Sequence, residues 1–229
     1  MLDRVVSSYT PTLRSLTLAR ERAEQGPTTT PLILSLPSTP GLAPLAGAIT
    51  EREVLEELLG TRGCHTLCGA DATGEKVVSM LGSHTWFHAS CHGTQRLGDP
   101  SAGGLLPYDW QENGLIDIAT LTDTAQNGGE FAFLSACMTA VGGTRVPEES
   151  ITLAAALQYS GWRHVIGTQW SVWDSAAAEV SDRLYRRLIC DGTLDTRRTA
   201  ESLHAAVREL RDARPGEPSS WGPFIHLGP

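Results

Sequence analysis

The sequence predicts an α/β fold with a mostly parallel central sheet covered by helices on both faces. Two observations predict it. Apolar runs of five to seven residues recur along the chain, each bounded by Gly, Pro or polar residues. Between them lie stretches whose apolar residues return at helical spacing. Strand and helix alternate without an internal repeat. No linker is long enough to divide the 229 residues into two domains.

The elements follow in chain order. Residues 10–25 carry Leu13, Leu16 and Leu18 among Arg and Glu, with Gly26 and Pro27 as a stop, and read as a short helix. Residues 32–36, between prolines, read as a first buried strand, and 37–44 as a Pro/Ser/Gly loop. Residues 45–59 read as an amphipathic helix. Its apolar side is Leu45, Ile49, Val54, Leu55, Leu58 and Leu59, with Glu51, Glu53, Glu56 and Glu57 elsewhere. A strand over 64–68, a helix near 73–82 and a third strand over 84–90 come next. The polar, Gly-rich stretch 93–104 shows no element, 117–127 reads as a short helix and 130–136 as the fourth strand. Gly142 and Gly143 open a loop, and Pro147 starts a helix through about Tyr159. A strand over 164–168 and helices over 174–190 and 196–213 close the chain before a Pro/Gly-rich tail. Residues 1–229 therefore read as one domain, with 1–30 a lead-in segment and 214–229 a C-terminal tail.

Composition narrows the function classes. Hydrophobic content of 41% with 19% charged residues supports a sizeable core and argues against wholesale disorder. A net charge of -8 argues against nonspecific binding to nucleic acid or to anionic membranes. No run of 18 apolar residues occurs, so no transmembrane helix is expected, and the N-terminus lacks a secretory pattern. The five cysteines are odd in number and scattered, which favours reduced thiols in the cytoplasm.

Two strand ends carry the chemistry. One run ends in His88-Ala-Ser-Cys-His-Gly93, the other in Phe133-Leu-Ser-Ala-Cys137. Parallel strands of one sheet deliver such ends side by side at the carboxyl edge, where α/β proteins place their ligands. A thiol is a weak nucleophile until a neighbouring imidazole favours the thiolate. Cys137 and His92 can supply that pair, and the backbone N–H groups of Gly93 and Cys137 an oxyanion hole. The small Ser135 suits a site where a peptide backbone passes close.

Each residue also has a plainer role open to it. Cysteine and histidine at strand ends are often core or hydrogen-bonded structural residues. Alternation sends Cys91 to the face opposite His92, which favours core. His88 and Ser90 share the face of His92 and lie open between cleft and core. Asp174 precedes an apolar-periodic stretch, so it either caps that helix or binds a basic group. Glu148, with Glu149, suits a helix start and is also a candidate for the cleft. Cys64, His65 and Cys68 lack the second ligand pair that a zinc site needs, so no metal is expected. No cofactor is expected either.

The blocks His88-Ala-Ser-Cys-His-Gly93 and Leu134-Ser-Ala-Cys-Met-Thr139 resemble those of the CHAT family, caspase-like peptidase domains often attached to tetratricopeptide (TPR) repeats. Ser8-Tyr-Thr-Pro-Thr12, Pro147-Glu-Glu-Ser-Ile-Thr-Leu-Ala154, Gly161-Trp-Arg-His-Val-Ile-Gly-Thr-Gln-Trp170 and Trp221-Gly-Pro-Phe-Ile-His-Leu-Gly228 extend the resemblance over nearly the whole chain. It implies a caspase-hemoglobinase-like three-layer α/β/α sandwich, with His92 as general acid/base and Cys137 as nucleophile. Ser135 and Met138 depart from the wider caspase pattern, which removes the basis for expecting cleavage after Asp.

The expected activity is that of a cysteine endopeptidase, a regulated effector that cleaves a partner protein. His88, Ser135, Asp174 and Glu148 are its candidate substrate-binding residues. A TPR-containing or sensor protein is the expected partner. The alternatives are a catalytically silent interaction or oligomerisation module and a thiol hydrolase acting on small amides or esters.

Overall fold

The computed structural model describes residues 2–21, 31–60, 63–96, 99–124, 129–136 and 152–229. The chain begins with α1 (Leu13–Glu21), β1 (Leu32–Ser35), α2 (Gly47–Leu59), β2 (His65–Cys68), α3 (Gly74–Leu81) and β3 (Trp86–Ser90). A smaller insert follows: β4 (Gly93–Arg96), β5 (Asp99–Leu105), α4 (Trp110–Asn113), β6 (Ile116–Asp117) and α5 (Ile118–Thr124). The second half holds β7 (Phe131–Ser135), α6 (Leu153–Tyr159), β8 (His164–Thr168) and α7 (Asp174–Leu188). It ends with β9 (Ile189–Cys190), β10 (Thr193–Leu194), α8 (Thr199–Ala213), α9 (Pro218–Trp221) and β11 (Phe224–Leu227).

The central sheet runs β11-β8-β7-β3-β1-β2, parallel except for β11. Alternation along its strands builds two cores. Leu32, Leu34, Phe87, Ala89, Ala132 and Leu134 face α3, α5 and α6. Ile33, Trp86, Phe131, Phe133 and Ile166 face α2, α7 and α8. The result is the three-layer α/β/α sandwich that the sequence predicts. Cys91 is 1% exposed in the first of these cores, beside Phe87 and Ala89.

The sheet departs from the sequence reading in two places. The stretch 93–104 is not structureless: it pairs as β4 and β5, and β6 adds to give a three-stranded antiparallel sheet. Its glycines and polar residues hide the period-two pattern that marks a half-buried strand. Gly104 is needed there, because a Cβ would meet the Ile116 carbonyl oxygen at 2.7 Å and Leu115 Cβ at 2.8 Å. The Pro/Gly-rich tail is the second correction. It contains α9 and β11, and β11 lies antiparallel on β8 with Phe224 opposite Thr168. Tyr9 then bridges Leu227 in parallel, so residues near both ends of the sequence close the same sheet edge.

Candidate active site

The β3/β7 pair sets the geometry. Ser90 stands opposite Ser135 at the last register position of the two parallel strands. His92 follows Ser90 by two residues, and Cys137 follows Ser135 by two. Cys137 and Glu148 lie outside the described residues. Ala136, just before the cysteine, has its carbonyl held by the Thr168 hydroxyl of β8 at 2.9 Å.

His92 is half-buried, with Nε2 2.8 Å from the Ala43 carbonyl oxygen. A carbonyl only accepts, so Nε2 carries a proton, and the neutral form of the ring has its lone pair at Nδ1. The holder comes from the loop before α2, which sequence reasoning treats only as a connection. The Leu106 N–H donates to the His92 carbonyl at 2.9 Å. That places the next pair, Gly93 and Leu105, at a non-hydrogen-bonded ladder position, with the Gly93 N–H directed away from β5.

His88 and Ser135 do not line an open groove. His88 is 0% exposed and Ser135 8%. Both turn toward α2 and α7. The hydroxyls of Ser90 and Ser135 donate to the same oxygen, Glu51 Oε1, at 2.6 and 2.8 Å. The other oxygen of Glu51 faces His88 Nε2 at 3.3 Å, and His88 Nδ1 lies 2.9 Å from the Tyr185 hydroxyl. Burial pushes the Tyr185 hydroxyl well above the ordinary phenol range. Both side chains are thus engaged in hydrogen bonds inside the protein.

Glu51 is the group that sequence reasoning misplaces. It is read with the polar glutamates of its helix, yet it is 1% exposed, in the buried row of Ala48, Leu55 and Leu59. The signal is its spacing: Glu51, Leu55 and Leu59 recur every fourth residue, which is the spacing of one helix face.

Asp174 caps a helix, though not its own. No side-chain bond caps α7, while Asp174 Oδ2 accepts the Gly47 N–H at the start of α2 at 2.5 Å. Its carboxylate is thereby engaged inside the protein. Among the described residues, no group of three or more potential metal ligands converges. No helix among them is long and apolar enough to cross a membrane. A cavity of about 170 Å³ lies against β11, lined by Tyr9, Leu203, His204, Val207, Trp221 and Phe224 among others. It is three strand positions from β3 and holds none of the predicted site residues.

Comparison with known proteins agrees with this architecture. Gingipain R, an Arg-specific cysteine proteinase, superposes with a TM-score of 0.62 at 10% identity, over 94% of this chain and 51% of its own. The complex of pro- and mature domains of RgpB from Porphyromonas gingivalis gives 0.61 at 13%, over 94% and 52%. The Saccharomyces cerevisiae separase–securin complex gives 0.63 at 14%, over 96% of this chain and 13% of the matched one. The chain thus spans about half of the gingipain chains and a small part of the separase complex chain. At these identities the likeness establishes the fold alone, that of a caspase-like peptidase. No curated protein matches the sequence. The CHAT domain family matches residues 1–229, and the chain belongs to that family.

Proposed function

We propose that the protein is a cysteine endopeptidase that hydrolyses peptide bonds through Cys137 and His92. One observation carries the reading: Ser90 and Ser135 pair at the carboxyl ends of adjacent parallel strands, two residues before His92 and Cys137. Adjacent strands lie about 4.8 Å apart. Two residues extend the chain by at most about 7 Å. This spacing supports the reading that the thiol and the imidazole share one end of the sheet.

In the proposed reaction, Nδ1 of His92 takes the thiol proton and the thiolate attacks the scissile carbonyl carbon. The N–H groups of Gly93 and Cys137 hold the oxyanion. The imidazolium then protonates the leaving amine, which departs to leave a thioester. His92 next draws a proton from water, which attacks the thioester and frees the acid. The Ala43 carbonyl keeps the ring in the required tautomer throughout.

The substrate is a protein or peptide, and the enzyme is a regulated effector that cleaves a partner. Two of the structural neighbours are complexes with a protein partner, securin and a pro-domain. A TPR-containing or sensor protein is the proposed regulator, and the cytoplasm the proposed location. Asp174 is engaged by Gly47. Glu148 therefore remains the acidic candidate for a substrate contact.

The test is a proteome digest with wild type, Cys137→Ala and His92→Ala protein, read as new peptide N-termini. Cleavage confined to the wild type supports the reading. Identical digests from wild type and Cys137→Ala would refute it and leave the silent interaction module. Turnover of small amides without any peptide product would redirect it to a small-molecule thiol hydrolase.

A further inference from the structure

Glu51 is a buried acid that the proposed reaction does not use. An ionised carboxylate removed from water is costly unless donors surround it. Here the donors come from both strands of interest. Ser90 closes β3 and Ser135 closes β7, and both hydroxyls converge on Glu51 Oε1 at 2.6 and 2.8 Å. The second oxygen faces His88 Nε2 at 3.3 Å, and the chain continues to Tyr185 on α7. The Tyr185 hydroxyl and His88 Nδ1 hold each other whichever tautomer the ring takes. Its own helix, α2, is fixed at its start by Asp174 and on its first turn by the Ser35 hydroxyl, which donates to the Ala48 carbonyl at 2.8 Å.

We propose that Glu51 is a positioning residue, a buried clip that joins the ends of β3 and β7 and so sets the spacing between His92 and Cys137. This rests on the peptidase reading of those two residues. An apolar side chain would fill the same space without holding two strand ends to one point. Sheet hydrogen bonds fix the strands up to Ser90 and Ser135. Beyond Ser90 the chain leaves this ladder and enters β4, so a tie at the final register position acts where the ladder stops. A misplacement of about 1 Å at a reacting pair can cost about 100-fold in rate.

The experiment compares full-length wild type with Glu51→Ala, Glu51→Gln, a Ser90→Ala/Ser135→Ala double variant and His92→Ala. The readout is alkylation of Cys137 by iodoacetamide against pH, followed by peptide mapping, with circular dichroism as the control for folding. Wild type should show a Cys137 midpoint below the ordinary thiol value of about 8.5. In Glu51→Ala and in the double variant the midpoint should move up toward that value. Alkylation near neutral pH should slow by about tenfold or more. Glu51→Gln keeps an oxygen that accepts both hydroxyls and should restore the wild-type midpoint. A merely structural role would lower the melting temperature and leave the midpoint of the folded protein where it was.

A folded Glu51→Ala or double variant with an unchanged midpoint overturns the proposal. If Glu51→Ala fails to fold, the double variant decides alone, since it removes both arms and keeps the acid. If His92→Ala leaves the midpoint unchanged, the peptidase reading falls and the clip falls with it. If His92→Ala raises the midpoint and the clip variants do not, only the clip falls.

Discussion

Asp174 opens α7 yet caps α2: its Oδ2 accepts the Gly47 N–H at 2.5 Å. One carboxylate thereby joins the helix after β8 to the helix that carries Glu51. The approach is close enough to require glycine. A Cβ on residue 47 would fall 2.6 Å from Asp174 Oδ1 and 2.7 Å from the Asp174 carbonyl oxygen.

Gly47→Ala should therefore destabilise the protein by about 1–3 kcal/mol through overpacking. Asp174→Ala should cost about 1 kcal/mol by removing the cap. Urea denaturation read by circular dichroism measures both. The double variant should lose less than the sum, because the two residues act at one contact. Full additivity would show that the contact is not formed in solution.

A second prediction concerns acid. Ser8 gives its proton to the Gly228 carbonyl at 2.7 Å, so it accepts from His226 Nδ1 at 2.9 Å. His226 Nε2 then accepts from His164 Nδ1 at 3.0 Å, which makes the His226 ring neutral. Burial first, then the neighbouring His226 and Arg163, holds His164 down at about 3. Burial holds His226 at about 4. Both folded values lie below the ordinary 6.5, so the unfolded chain binds protons that the folded chain refuses. Stability is thus complete above about pH 6.5 and falls with acid, by up to about 1.4 kcal/mol per pH unit for each ring. Urea midpoints at pH 7.5, 6.0 and 5.0 test this. His164→Gln should flatten the slope by one proton, and an unchanged slope would rule out that ring as a contributor.

Much of this architecture was legible because burial writes itself into sequence. β1, β3, β7 and β8 are buried at every residue, and their apolar runs announce them. β11 was hidden because it is four residues long, between glycines and prolines. Its stability comes from pairing with β8 rather than from its own pattern. The place of His92, just past the end of β3, was legible from the apolar run before it. Its support was not, since Ala43 contributes a backbone carbonyl, which carries no side-chain signal. Glu51 was hidden by its charge: a helical pattern that scores apolar residues assigns any glutamate to solvent.

Thr168 supplies a third prediction. Its hydroxyl is the donor to the Ala136 carbonyl at 2.9 Å, and the side chain is 0% exposed. Thr168→Val keeps the shape and deletes the donor, leaving a buried carbonyl short of a partner. The cost should be about 1–3 kcal/mol in unfolding free energy. Ala136 immediately precedes the proposed nucleophile, so Cys137 alkylation in the folded variant should also slow. A stability loss without any change at Cys137 would confine Thr168 to the fold.

The last prediction tests the tautomer on which the proposed chemistry turns. His92 can act as base at Nδ1 only if the Ala43 carbonyl keeps the proton on Nε2. Long-range ¹H–¹⁵N spectra at pH 8 should show the His92 ring protonated at Nε2 and bare at Nδ1. Replacing the ring should be harsh for activity and mild for the fold, since it is half-buried and, among the described residues, bonds to a loop. His92→Ala should lower kcat for peptide cleavage by about 10²–10⁴-fold. The melting temperature should stay within a few degrees of wild type. His92→Gln, which can keep the Ala43 bond but has no basic nitrogen, should be as slow as the alanine variant. If the glutamine variant retained activity, the ring would be a strut for the loop before α2, and the base would have to be another group.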